Sequence, residues 1–109
     1  MNILNKEPVT RVKKALKDFD SSLDIVELKT SARTAIDAAN SLNCEIGAIV
    51  KSLLFKTEKN FILCLVAGDK KCSLKKLKKI TNLNDIKMAS PDEVKQHTGY
   101  TIGGVSPVG

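Results

Sequence analysis

Apolar and polar positions along the chain change period several times. In "PVTRVKKALKDF" (8–19), Val9, Val12, Leu16 and Phe19 recur at steps of three, four and three. That is one face of an amphipathic helix, with Pro8 suited to its first turn. "DIVEL" (24–28) reads as a short strand. "TAID" (34–37) resembles a capping box with Asp in place of Glu, opening an Ala-rich helix that reaches about Leu42. "AIVKSLLF" (48–55) and "FILCLV" (61–66) flank the polar connector "KTEKN" and predict a hairpin of two buried strands. In "KKCSLKKLKK" (70–79), Leu74 and Leu77 are spaced for a helix whose lysines project mostly outward. "DIKMAS" (85–90) predicts a strand. "SPDE" (90–93) is a second capping box, with Pro91 at the first helical position, and its helix ends near His97 with Gly99 as the C-cap.

Helices and strands thus mix without regular βαβ alternation, which predicts a compact α+β domain around an antiparallel or mixed sheet. The chain has 109 residues, the length of one domain, and shows no repeat, low-complexity tract or linker. Hydrophobic residues make up 42% and aromatic ones 4%, with no Trp, so the core is aliphatic. No apolar run approaches the roughly 18 residues that span a membrane. "MNILNKEPVTRVKK" has no apolar h-region and reads as neither a signal nor a transit peptide. A cytoplasmic protein without a membrane partner is expected.

Charge adds a candidate surface. The net charge is +6, and Lys70, Lys71, Lys75, Lys76, Lys78 and Lys79 fall within ten residues. The run is either a solvated helix face or a patch for a polyanion, most simply nucleic acid phosphate. The scarcity of aromatics argues against a single-strand stacking platform.

The three cysteines, Cys44, Cys64 and Cys72, fit a reducing compartment and match no zinc spacing. Cys64, inside "FILCLV", reads as a small buried hydrophobe. Cys72 lies among lysines, which can lower a thiol pKa. A cysteine nucleophile usually needs a histidine, and the chain has one, His97. No Ser-His-Asp set or metal cluster is visible, so neither a metal nor a cofactor is expected.

Lys51 stands out. It interrupts an apolar strand and shares a face with Ile49, Leu53 and Phe55. It is either snorkelling from the strand's beginning or placed in a pocket.

"AIVKSLLF", "LVAGDKKCSLKKL" and "ASPDEVKQHTGYTIGGVSP", in this order, resemble the YbaK family of aminoacyl-tRNA deacylases, related to the editing insertion domain of bacterial prolyl-tRNA synthetase. The resemblance runs from about Val26 to the last residue. It implies a single editing domain over 1–109, with a mixed, curved or barrel-like sheet surrounded by helices. Family members normally continue through further sheet and helix, so a shortened C-terminal part is expected. The implied activity is trans-acting hydrolysis of the ester of mischarged tRNA, with tRNA-Pro carrying a small non-cognate amino acid as substrate. The implied partners are the aminoacylated acceptor end of tRNA and prolyl-tRNA synthetase. A non-catalytic tRNA-binding or regulatory module of the same fold is the alternative, and a protein-interaction domain with a solvated basic face is a third reading.

The resemblance makes Lys51 the functional lysine of its strand. It also makes Gly103, Gly104, Val105, Ser106 and Pro107 the family's Gly-x-x-x-Pro substrate loop. Gly68 and Asp69 fall in a family turn near the pocket, Asp69 bonding its own backbone in that turn. The lysines at 70, 71, 75, 76, 78 and 79 become the tRNA contact. The physical chemistry is compatible. An activated ester needs its carbonyl charge stabilised and a water positioned, and the substrate's ribose hydroxyl is implied to help activate that water. Gly103 and Gly104 can adopt backbone angles closed to other residues and turn N–H groups toward one oxygen, while Pro107 fixes the loop's shape. Tyr100 and Ile102 are apolar enough to pin the loop to the core.

Overall fold

Each helix begins where the chain supplies a proline or a hydroxyl. In the computed structural model, which describes residues 6–28 and 32–109, α1 spans Glu7–Phe19 with Pro8 at its start. The first five residues, part of the stretch read above for a leader, lie outside the described residues. Helix α2 is Ala35–Leu42, and the Thr34 hydroxyl accepts from the Asp37 N–H. Helix α3 is Leu74–Thr81, capped by Ser73 through the Lys76 N–H. Helix α4 is Pro91–Thr98, opened by a full capping box in which Ser90 and Glu93 each take the other's backbone N–H. It closes at Gly99, whose φ of 78° is the left-handed cap geometry that glycine adopts without a Cβ clash.

The strands are β1, Val50–Lys56, β2, Phe61–Ala67, and β3, Lys87–Met88, in the order β2-β1-β3. Both ladders are antiparallel. Val50 faces Ala67 and Lys56 faces Phe61 in the first, and Phe55 faces Met88 in the second. Thr57 closes the hairpin, its N–H and hydroxyl both donating to the Asn60 carbonyl and its hydroxyl accepting from the Asn60 N–H. One face of the sheet packs Leu54 against Ala89 and Val94, with Phe61 and Val105 at the margin.

The α+β class and the order of the main elements follow the sequence pattern. Three expectations are corrected. "DIVEL" forms no strand: Val26 is 75% exposed, and no neighbouring strand is laid beside it among the described residues. The hairpin is not buried on both faces, since Leu63 and Leu65 on β2 are exposed. Phe19, assigned to the apolar face of α1, is 87% exposed at the helix end, and the face that packs is Val9, Val12 and Leu16, each half-buried.

Helix α1 is tied to the far end of the chain through Arg11. Its guanidinium lies 4.2 Å from the Tyr100 ring centroid, donates to the Thr98 carbonyl at 2.7 Å and to the Tyr100 hydroxyl at 3.3 Å. Tyr100 is buried and donates its own hydroxyl to the Val108 carbonyl at 3.0 Å. Tyr100 and Val108 are therefore tied to each other, and Tyr100 to α1.

Candidate functional site

Strand β1 carries Lys51 to the rim of a cavity of about 360 Å³. Gly103 and Val105 line the same cavity, so the geometry brings the strand lysine and the glycine-rich loop to one place. The remaining wall mixes small and larger apolar residues, with Ala35 and Ala38 from α2, Leu53 and Leu54 from β1, Ala89 just before α4 and Val94 on it. Arg33, exposed just before α2, adds a second cation to the lining.

Lys51 is half-buried as a residue, and its ammonium donates to the Lys70 carbonyl at 2.6 Å in an exposed hydrogen bond. It is neither a free surface lysine nor one sealed in the core. That carbonyl belongs to the turn after β2, where the Lys70 N–H bonds the Ala67 carbonyl at 3.0 Å and the Gly68 N–H bonds the Ile49 carbonyl at 2.7 Å.

Within the loop the two glycines differ. Gly103 has φ of 82°, in the left-handed region, whereas Gly104 does not. The Gly104 N–H is spent on the Thr101 carbonyl at 2.8 Å, closing a turn. The N–H groups of Gly103, Val105 and Ser106 find no acceptor among the described residues. They are the donors a bound oxygen could take. Ile102, expected in the core, is 52% exposed and lines the cavity instead. Ser106 and Pro107 face a second cavity of about 420 Å³, shared with Phe61 and His97, whose rings stack at 3.8 Å. Val105 and Leu54 line both cavities.

Gly68 and Asp69 do not line either cavity. The Asp69 carboxylate lies against Gly47, filling the space a side chain there would need. On the lysine run, Lys70, Lys71, Lys75, Lys76 and Lys79 are exposed and Lys78 is half-buried. None of the six is in an ion pair among the described residues, in contrast to Lys56, which holds Glu93 at 2.7 Å. Among the described residues no three His, Cys, Asp or Glu side chains converge to hold a metal. No helix of those residues is long and apolar enough to cross a membrane.

One polar residue of this wall escapes a reading of the sequence. Ser52, next to Lys51, lines the cavity, and its Oγ is buried without a hydrogen-bond partner among the described residues. A serine in a strand carries no signal of its own. Only the fold reveals that its hydroxyl is unpaired.

An α+β fold with a lysine and a glycine loop on one small cavity defines a class of domain, and the sequence match agrees. Residues 29–109 match the aminoacyl-tRNA editing domain, and the chain belongs to that family. It is 35% identical over 94 residues to proline–tRNA ligase of Thermosipho africanus, covering 85% of this chain and 17% of the ligase. It is 38% identical over 87 residues to the uncharacterised protein YwhH of Bacillus subtilis, covering 79% of this chain and 55% of YwhH. A crystal structure assigned provisionally to a trans-editing enzyme for prolyl-tRNA synthetase superposes with a TM-score of 0.88 at 41% identity, covering 95% of this chain and 66% of that one. The chain thus spans about half the length of YwhH and a small part of the ligase.

Proposed function

We propose that this chain is a single trans-acting editing domain that hydrolyses the ester joining a small amino acid to the terminal ribose of a mischarged tRNA, with tRNA-Pro as the tRNA. The observation that carries the reading is the shared cavity, which Lys51, Gly103 and Val105 line together with Ala35, Ala38 and Ala89. The alanines leave room there for a short side chain. The ester carbonyl then lies near the Gly103 and Val105 N–H groups, where donors already in place stabilise charge as it develops on the oxygen. Lys51 exchanges the Lys70 carbonyl for the ester or an adjacent phosphate. The attacking water is positioned by the substrate's ribose hydroxyl. The unpaired lysines of α3 and its preceding turn receive tRNA phosphates, and Arg33 extends that charge to the cavity mouth. This work belongs in the cytoplasm, beside prolyl-tRNA synthetase.

The alternative, a non-catalytic tRNA-binding module, is favoured by the same unpaired lysines, which need no reaction to be useful. Incubation with tRNA-Pro charged separately with Ala, Cys and Ser decides between them. Release of at least one amino acid above its spontaneous rate is expected. Tight binding of all three with no accelerated release would leave the binding module.

A further inference from the structure

Cys64 lies on β2 opposite Leu53, and Cys72 lies between β2 and α3. Their Sγ atoms are 3.6 Å apart, and both residues are half-buried, while Cys44 is exposed. A disulfide needs about 2.05 Å between sulfurs, so the pair must close by roughly 1.5 Å. Burial, and then the hydrogen bond with Cys64, raises the Cys72 pKa, so the sulfur rests beside its neighbour as an uncharged thiol at neutral pH.

The segment that ends at Cys72 also touches the site. Its first residue, Gly68, is bonded to the Ile49 carbonyl just before β1. Its middle supplies the Lys70 carbonyl to Lys51. Cys72 follows Lys70 by two residues, so a change at the thiol pair acts on a short, anchored stretch.

We propose that Cys64 and Cys72 are an oxidisable thiol pair whose intramolecular disulfide fixes the β2–α3 segment that holds Lys51. The oxidant is a peroxide. The thiolate of one cysteine attacks a peroxide oxygen, the O–O bond breaks, and a sulfenic acid forms as hydroxide leaves and takes a proton. The second thiol attacks that sulfur, the S–S bond forms, and water departs. With hydrogen peroxide, two thiols and one peroxide give one disulfide and two waters; the sulfurs lose two electrons and the peroxide gains them. The inference stands apart from the deacylation reading, because its product is read without any tRNA.

The test uses the Cys44→Ser chain, treated with hydrogen peroxide, alkylated and digested for mass spectrometry, with backbone amide spectra of both forms. The expected product has lost two hydrogens, links the peptides carrying Cys64 and Cys72, and reverts with dithiothreitol. The Lys51 and Lys70 amide signals move on oxidation, and both effects vanish in the Cys44→Ser, Cys72→Ser chain. Cys64→Ser in place of Cys72→Ser gives the same loss if the second variant folds poorly. Oxidation to sulfinic acid without a crosslink overturns the pair, and a crosslink that leaves the Lys51 and Lys70 signals in place overturns the link to the site.

Discussion

At the scale of single residues, Ser52 and Gly103 each carry a separable cost in the cavity wall. Ser52 is the plainest. A buried hydroxyl without a partner costs about 1–3 kcal/mol. Ser52→Ala should therefore stabilise the fold by roughly 1 kcal/mol, measured by urea unfolding. A less stable Ser52→Ala protein would mean that the hydroxyl has a partner after all. Gly103 is the second case. Beyond its chain neighbours, no atom of the described residues lies within 4 Å of where its Cβ would stand, so the cost of a side chain is the backbone angle. Gly103→Ala should cost about 1–2 kcal/mol and reduce deacylation. Gly104→Ala, with ordinary contact to Thr101 and no positive φ, should be mild in both. Glu93 gives a pH dependence. The Lys56 ammonium, and then the Ser90 N–H, lower its pKa from 4.5 to about 2. The unfolded chain therefore binds this proton at higher pH than the folded one. The stabilisation is complete above the ordinary value of 4.5 and is lost as pH falls toward about 2. Over that window the Tm of wild type should fall more steeply than that of Glu93→Gln.

At the scale of elements, local chemistry was legible and long-range pairing was not. The "SPDE" box, the Gly99 cap, the hairpin and the lysine helix all follow from side chains acting within a few residues. "DIVEL" has the composition of a strand, but a strand needs a partner, and no pattern within five residues reveals whether one is present. Lys51 was conspicuous because it breaks an apolar run, yet the residues alone left snorkelling and a pocket both open. Its bond to Lys70 is set by a turn nineteen residues away. Helix α3 bears directly on the binding proposal. Reversing the charge of Lys75, Lys76, Lys78 and Lys79 should weaken tRNA binding and flatten its salt dependence, with the circular dichroism spectrum preserved. Unchanged affinity at low salt would remove this helix from the tRNA contact.

At the scale of the whole molecule, the two ends of the chain meet at Arg11. Helix α1 precedes the residues matched to the editing family, yet its guanidinium clamps the segment that carries the glycine loop. Arg11→Met should keep some packing, lose the hydrogen bonds and lower both Tm and the deacylation rate. A rate unaffected by that change would separate α1 from the loop. The central claim is that Lys51 acts on the ester at this cavity. Single-turnover deacylation of mischarged tRNA-Pro by wild type and Lys51→Ala, with tRNA affinity measured alongside, tests it most directly. Loss of a positioned electrostatic contact commonly costs about 10²–10³ in rate, so a fall of that order is predicted, with affinity and Tm nearly unchanged. A Lys51→Ala rate within about threefold of wild type, far short of that loss, would contradict it.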